Sequence, residues 1–109
     1  MLRGMPIRVR VRYFAGLRRL IGLGEEAYTV DDGTELRSLL MEIIPERHGE
    51  IGELWMRRLF EMGADGDPTP RRGYMILING RHYNEYEEGL RRILRDGDVI
   101  SILETVGGG

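Results

Sequence analysis

The sequence predicts an α+β fold in which a mixed sheet of about five strands packs on one main helix and an additional helix. Residues 7–14 alternate apolar and basic side chains, which is typical of a half-buried strand. Residues 36–44 carry apolar side chains at spacings of three and four, which predicts an amphipathic helix. Residues 99–103 form an apolar run, which predicts a buried strand. Two strands, a helix and further closing strands make the β-grasp arrangement, in which the first and last strands pair in parallel at mid-sheet.

The first predicted strand has one apolar face and one basic face. The residues expected to face the core are Ile7, Val9, Val11 and Tyr13. The residues on the opposite face, called the arginine stripe below, are Arg8, Arg10 and Arg12. This stripe is either a solvated sheet face or a surface that binds an acidic partner.

Local signals also define the elements that follow the first strand. Residues 15–21 read as a short helix and residues 25–30 as the second strand. We expect the main helix to begin after Thr34, because threonine is a favourable N-cap residue, and to end near Pro45.

The middle of the chain predicts an additional helix and a loop. Residues 50–62 are periodic, and the side chains on their apolar face are Ile51, Leu54, Trp55, Leu59 and Met62. We interpret this segment as a helix that packs on the main helix, with its aromatic side chain in the core. Residues 63–73 are rich in glycine, proline and aspartate, which predicts a loop.

Residues 74–78 predict a strand that is apolar on both faces. We expect Met75 and Leu77 to lie on the sheet face away from the helix, where they form an apolar patch rimmed by the arginine stripe. Asn79 and Gly80 form the strongest short hairpin signal in the chain. A short helical turn at residues 90–94 and a tight turn at residues 96–98 then lead into the last strand.

Composition excludes several classes of protein. The 109 residues include 18 acidic and 16 basic side chains, so no basic excess favours nucleic acid binding. The chain has neither an apolar stretch of about 18 residues nor the apolar core of a signal peptide, which favours a cytoplasmic protein without a membrane span. It contains no cysteine, and every basic residue counted is an arginine.

Candidate catalytic groups are sparse. His48 and His82 lie in predicted loop or turn contexts, and no serine or carboxylate is expected beside them. No cluster of histidine, aspartate and glutamate has the spacing of metal ligands, so we expect no metal site and no tightly bound cofactor. The sequence therefore predicts a protein that is not a self-sufficient enzyme.

The chemistry that remains is at the end of the chain. We divide the sequence into a β-grasp domain, residues 1–103, and a flexible glycine tail, residues 104–109. The tail can extend roughly 20 Å beyond Leu103, which is enough to carry the α-carboxylate of Gly109 into a partner's active site. A partner that uses ATP could adenylate this carboxylate. Sulfide would then give a thiocarboxylate, whereas an amine would give an amide bond to another protein.

Four segments resemble the MoaD/ThiS family of ubiquitin-like sulfur carriers, and in particular the small subunit of molybdopterin synthase. They are residues 13–18, 78–80, 94–99 and the ending Val106-Gly107-Gly108-Gly109. The resemblance implies that Gly109 becomes the thiocarboxylate, and that Gly108 and Gly109 enter the active sites of an adenylating enzyme and then of the large synthase subunit, which supplies the catalytic residues. It also implies that Val106, Gly107 and Gly108 contact these partners. Residues 45–73 form a longer middle segment than compact members of the family have, and its role is left open.

Three functions fit this resemblance. The first is a sulfur carrier for molybdopterin, the organic part of the molybdenum or tungsten cofactor. The second is a ubiquitin-like modifier that is conjugated to lysines of other proteins through the same terminus. The third is a sulfur carrier for the thiolation of thiamine precursors or of transfer RNA.

Overall fold

The computed structural model describes residues 4–105. In chain order, the strands in this range are β1 (Ile7–Tyr13), β2 (Glu25–Val30), β3 (Phe60–Met62), β4 (Pro68–Pro70), β5 (Tyr74–Ile78), β6 (Arg81–His82) and β7 (Val99–Glu104). The α-helices are α1 (Ala15–Ile21), α2 (Leu36–Ser38), α3 (Ile44–His48) and α4 (Glu50–Leu59). A π-helical turn, Leu39–Ile43, joins α2 to α3, and two 3₁₀ turns, Tyr83–Glu85 and Gly89–Arg91, precede β7.

Within residues 4–105, five of the strands form one mixed sheet in the order β2-β1-β7-β5-β6. Strands β1 and β7 pair in parallel, with Arg10 opposite Val99 and Tyr13 opposite Ile102. The β1–β2, β5–β7 and β5–β6 pairs are antiparallel. The predicted β-grasp order is therefore confirmed, and the buried side chains of Ile100 and Ile102 explain why the last strand is so apolar.

The period-two pattern of β1 gives the two faces that the sequence predicts. Its apolar side chains are at most 8% exposed, whereas the three arginines between them are exposed. Burying each of these apolar side chains stabilises the fold by about 1.5–3 kcal/mol, which strongly disfavours a slip of one residue in the strand register.

The main helix begins later than Thr34 predicts. The first helical residue is Leu36, and Glu35 takes the N-cap position. The hydroxyl of Thr34 donates to the carbonyl oxygen of Asp31 at 2.7 Å, so it closes the preceding turn and does not cap the helix. The prediction was wrong here because a threonine can satisfy either role, and the local sequence favours both.

The main helix also continues through Pro45, contrary to the prediction, and ends at His48. In the π-helical turn, the N–H of Ile44 donates to the oxygen of Leu39, five residues earlier. The wider turn gives room for the proline ring, which in a regular α-helix would collide with the carbonyl four residues earlier. Since Pro45 has no N–H, the carbonyl of Leu40 accepts instead from the indole N–H of Trp55 at 2.9 Å.

The additional helix, α4, is shorter than predicted. It ends at Leu59, and residues 60–62 form β3, which pairs with β4 inside the predicted loop. Trp55 and Leu59 are fully buried, as predicted for the core, but Leu54 is 49% exposed and Met62 is 70% exposed. Met62 was wrongly placed because it belongs to β3 and not to the helix, and its partner β4 is a proline-containing segment that carries no strand signal. Leu54 was wrongly placed because it lies on the exposed side of α4.

Helix α4 packs closely on α3 because Gly52 has no side chain. A Cβ at this position would lie 2.8 Å from the Cα of Pro45, which no normal packing allows. The rings of Trp55 and Tyr13 of β1 also form a T-shaped pair, with 5.6 Å between their centroids. The segment that lengthens this chain therefore contributes to the main core.

The predicted hairpin at Asn79 and Gly80 is confirmed. Both residues have positive φ, 51° and 84°, as a type I′ turn requires. The side chain of Asn79 accepts from the N–H of Val99 and donates to Asp98, both at 2.9 Å. This turn therefore also holds the start of β7.

Candidate functional site: the open sheet face and the base of the tail

The predicted tail residues Val106, Gly107, Gly108 and Gly109 lie outside the residues that the structure describes. The structure does describe the two residues before them. Glu104 is the last residue of β7, one position beyond the predicted domain boundary. The N–H of Thr105 donates to the carbonyl oxygen of Gly73 at 2.7 Å. The chain thus leaves the sheet at the end of β7, which is the central strand.

One face of the main sheet is opposite the helices, and it carries the other predicted site residues. Along β1 this open sheet face presents the arginine stripe, and along β5 it presents Met75 and Leu77. Strand β7 lies between them, with Ser101 opposite both Arg12 and Leu77, and Leu103 opposite Met75. The register therefore brings the arginines and the apolar side chains onto one continuous face.

The residues of β7 on this face are part of the candidate site that the sequence interpretation missed. Val99, Ser101 and Leu103 are partly exposed, while the residues between them are buried. The two-residue period of a strand puts these three residues on one face once Ile100 and Ile102 are known to be buried, but the sequence does not show that burial. The apolar run concealed it, since a strand apolar on both faces gives no alternation.

The three arginines differ in their surroundings. Arg12 lies 3.6 Å from Glu25 and also sits over the ring of Phe14 at 5.3 Å from its centroid. Arg8 and Arg10 line a depression together with Ala27, Asp96, Gly97 and Val99. A carboxylate thus lies at each end of the stripe: Glu25 beside Arg12, and Asp96, whose Oδ1 accepts from the backbone N–H of Arg8 at 2.9 Å.

A second cluster lies on the helix side of the sheet, where the tail begins. The tail-base cluster consists of Arg58 from α4, Tyr74 from β5 and Glu104 from β7. Nη2 of Arg58 donates to both carboxylate oxygens of Glu104 at 3.3 Å, and its Nε donates to the hydroxyl of Tyr74 at 3.1 Å. The hydrogen bond to Tyr74 and the charge of Glu104 raise the pKa of Arg58, although burial opposes this.

Sequence reasoning did not find the tail-base cluster. Arg58 and Glu104 are 46 residues apart in the chain, and neither belongs to a recognisable motif. Arg58 was assigned to the additional helix and Glu104 to the flexible tail. Only the packing of α4 beside the end of β7 brings them together.

His48 differs from the prediction that no carboxylate lies beside it. Its Nε2 is 2.7 Å from Oε1 of Glu26, and both side chains are largely buried. His82 instead accepts from the N–H of Asn84 at 3.1 Å and caps a 3₁₀ turn. His82 is opposite Leu77 in the β5–β6 pair, so it lies at the β6 edge of the open sheet face, whereas His48 lies in α3, and neither histidine belongs to the tail-base cluster.

Neither a metal-binding cluster nor a membrane-spanning helix is found in the described part of the chain. Within residues 4–105, no three side chains of histidine, aspartate or glutamate are grouped so that they could hold a metal ion. In the same range, no helix combines the length and the apolar character needed to cross a membrane.

Comparison with known proteins identifies the family. The sequence model of the ThiS family matches residues 11–109. Small archaeal modifier protein 3 of Haloferax volcanii is 30% identical over 103 residues, which are 94% of this chain and 100% of that protein.

Solved structures agree with this match. Small archaeal modifier protein 1 of Methanosarcina acetivorans is 28% identical, with a TM-score of 0.70, over 97% of this chain and 100% of that one. A Pyrococcus furiosus protein assigned as subunit 1 of a molybdopterin converting factor is 32% identical, with a TM-score of 0.65, over 92% of this chain and 99% of that one. These similarities confirm the ubiquitin-like form of the β-grasp fold. The chain therefore belongs to the ThiS family, a family of small ubiquitin-like sulfur carriers and modifiers that are not themselves enzymes.

Proposed function

We propose that this protein is a sulfur carrier that donates sulfur in the biosynthesis of molybdopterin. An adenylating partner would join the Gly109 carboxylate to AMP from ATP, with release of pyrophosphate. Sulfide would then add to the acyl carbon and AMP would leave, which gives the C-terminal thiocarboxylate. The observation that carries this proposal is the 32% identity to the assigned molybdopterin converting factor subunit, together with the ending Val106-Gly107-Gly108-Gly109.

The open sheet face supports the proposal as a docking surface. Its apolar centre includes Met75, Leu77 and Leu103, and the arginine stripe forms one rim. An apolar centre with a charged rim is the usual composition of a protein interface. We propose that this face binds first the adenylating enzyme and then the large subunit of molybdopterin synthase, each through an acidic surface that complements the arginines.

A second function has specific support. Two of these relatives are named modifier proteins, and they are similar over 94% and 97% of this chain. Conjugation to a lysine of another protein would use the same acyl-adenylate, with an amine in place of sulfide. The two functions therefore differ in the nucleophile and share the activation step.

Mass spectrometry of the intact protein tests both. The protein is incubated with ATP, sulfide and a purified adenylating enzyme of the same organism, together with a cell extract that supplies acceptor proteins. A mass gain equal to the replacement of one oxygen by sulfur indicates a carrier, whereas covalent adducts with proteins indicate a modifier. Transfer of the sulfur to a molybdopterin precursor, with the large synthase subunit present, would separate this pathway from thiolation of thiamine precursors or transfer RNA.

Truncated chains provide the matched control. Deletion of Gly109, or of Gly108 and Gly109, is expected to abolish both products. The thermal unfolding temperature should not change, because the described core lies within residues 7–104. An unmodified full-length protein in the presence of an enzyme that adenylates other carriers of this organism would contradict the proposal.

A further inference from the structure

We propose that Arg58 positions the base of the C-terminal tail, by holding Glu104 at the end of β7. The value of this positioning to the activation step rests on the proposed function. The ordering of the tail base does not, and it can be measured without any partner. The inference also assigns a role to the segment 45–73, because Arg58 belongs to the helix that this segment adds.

The first support is the geometry of the tail-base cluster. Tyr74 and Glu104 are opposite each other on β5 and β7, and both side chains lie on the helix side. Arg58 contacts both of them, and the hydroxyl of Tyr74 approaches Glu104 Oε2 at 3.5 Å. One guanidinium group thus joins α4 to the two strands where the tail leaves the sheet.

The second support is the close contact between the ion pair and Gly16 of α1. Gly16 is buried, and a Cβ at this position would run into Nη2 of Arg58 and Oε1 of Glu104. The ion pair therefore lies directly against the backbone of α1, in room that only a glycine leaves. Four elements, α1, α4, β5 and β7, converge on Glu104.

The third support is a backbone hydrogen bond at Thr105, the residue after Glu104. The N–H of Thr105 donates to the oxygen of Gly73 at 2.7 Å, immediately after the side chain of Glu104 is held. Side chain and backbone thus fix two successive residues. From Glu104 to Gly109 the chain can reach about 17 Å, so its starting direction limits where the terminal carboxylate can be placed.

Stability is a poor explanation for this cluster. The side chains of Arg58 and Glu104 are 41% and 26% exposed, and ion pairs with this exposure contribute little to the free energy of unfolding. Ordering the tail base before binding has a different effect. It lowers the entropy that is lost when the tail enters a narrow active site, which improves binding of the carrier to its activating enzyme.

The partner-free experiment measures backbone relaxation of the full-length, ¹⁵N-labelled chain by NMR. In both Arg58→Met and Glu104→Gln, the heteronuclear NOE of the backbone amides at positions 104 and 105 should fall. The NOE of Ile102 should stay at the parent value. Arg57→Met is the matched control, since Arg57 is 76% exposed and its contact is with Glu53 on its own helix. Parent values at Glu104 and Thr105 in both cluster variants would overturn the inference.

Gly16→Ala tests the same point without removing a charge. The atoms that the new methyl group meets are the ends of flexible side chains, so they are displaced while the helix remains. Alanine also has the higher helix propensity, which protects the fold. We expect the NOE of Glu104 and Thr105 to fall as in Arg58→Met. An unchanged value would count against the inference, because the displaced side chains would then not be what orders residues 104 and 105.

The partner experiment measures ATP–pyrophosphate exchange by the adenylating enzyme of the same organism, with this chain as the varied substrate. Arg58→Met should raise KM about three- to tenfold and leave kcat nearly unchanged, as expected for lost preorganisation. The exchanged pair Arg58→Glu with Glu104→Arg should recover most of the loss.

The outcomes separate the two proposals. A parent chain that is not adenylated at all contradicts the proposed function, while the NMR result still decides whether Arg58 orders the tail base. A parent that is adenylated, with the same KM as Arg58→Met, overturns the positioning role alone. A raised KM with an unchanged NOE, not recovered by the exchanged pair, would mean that Arg58 contacts the partner directly, and this would also overturn the inference.

Discussion

Nε2 of His48 lies 2.7 Å from Oε1 of Glu26, which joins the end of the main helix to the edge strand β2. The hydroxyls of Tyr13 and Tyr28 donate to the same oxygen at 2.8 and 3.0 Å. Arg47 is 3.6 Å from the other carboxylate oxygen, and its guanidinium lies 3.7 Å from the centroid of the Tyr28 ring. The carboxylate of Glu26 therefore connects α3 to strands β1 and β2.

Glu26 makes the stability of the fold depend on pH. Burial alone would raise its pKa, but the hydrogen bonds from His48, Tyr13 and Tyr28 outweigh burial and lower the pKa below its usual 4.5. As the pH falls, the Glu26 carboxylate of the unfolded chain therefore binds a proton at a higher pH than that of the folded protein. The stabilisation is thus complete above about pH 4.5 and is lost as the pH falls through the lower pKa of the folded protein.

Glu26→Gln tests this dependence. At pH 7 the substitution should reduce the free energy of unfolding by about 1–3 kcal/mol, because hydrogen bonds to a charged acceptor are lost. The difference from the parent should narrow as the pH falls below 4.5, which urea unfolding followed by circular dichroism at several pH values would measure. Glu25→Gln, in a pair whose side chains are about half exposed, is the control and should have little effect. A difference that stays constant down to pH 3 would refute the account.

Trp55 connects the added helix α4 to the main core. Trp55→Ala should destabilise the protein by about 3–5 kcal/mol, because it leaves a large cavity and removes the hydrogen bond to the Leu40 carbonyl. Urea unfolding followed by circular dichroism would measure this. Fluorescence cannot be used, because Trp55 is the single tryptophan of the chain and the variant lacks it. The neighbouring Leu54→Ala should cost less than about 0.5 kcal/mol, because Leu54 is 49% exposed. Equal effects of the two substitutions would show that α4 is not part of the core.

The arginine stripe should govern partner binding without affecting the fold. Arg10→Glu is expected to weaken binding to the adenylating enzyme about tenfold or more, because a repulsive charge then meets an acidic surface. Arg8→Glu and Arg12→Glu should also weaken it, and the effect of each should shrink at high salt. Calorimetric titration would measure the affinities, with Arg57→Glu on the helix side as the control. Parent affinity in all three stripe variants would show that this face is not the docking surface.

The absence of lysine should prevent the chain from forming side-chain-linked polymers of itself. An acyl-adenylate at Gly109 finds only the α-amino group of the first residue as an amine in another copy. If a lysine is introduced by Arg72→Lys, at an exposed position, self-linked species should appear when the adenylating enzyme and ATP are supplied without sulfide. Gel electrophoresis and peptide mapping would detect them. Self-linked products of the parent, mapped away from its N-terminus, would contradict the proposed chemistry of the terminus.

The sequence by itself determined those elements whose signal lies in neighbouring residues. The alternation of β1 specified both of its faces, and Asn79 and Gly80 specified the hairpin, because each signal depends on local backbone preferences. The order of the elements predicted that the last strand pairs with β1 at mid-sheet, and the apolar character of that strand agreed with this place. The same two-residue period grouped Met75 with Leu77 on one face of β5, and the structure shows that this is the face of the arginine stripe.

Tertiary structure decided what depends on residues far apart in the chain. The helix passes Pro45 because a π-helical turn and the indole of Trp55 compensate for the bonding that a proline removes. His48 and Glu26 meet across 22 positions of sequence, and Arg58 and Glu104 meet across 46. No local pattern encodes such pairs, because a single charged residue on a helix or strand has the same propensity whether it faces water or a partner. Packing of α4 against the sheet is what brings Arg58 to the base of the tail.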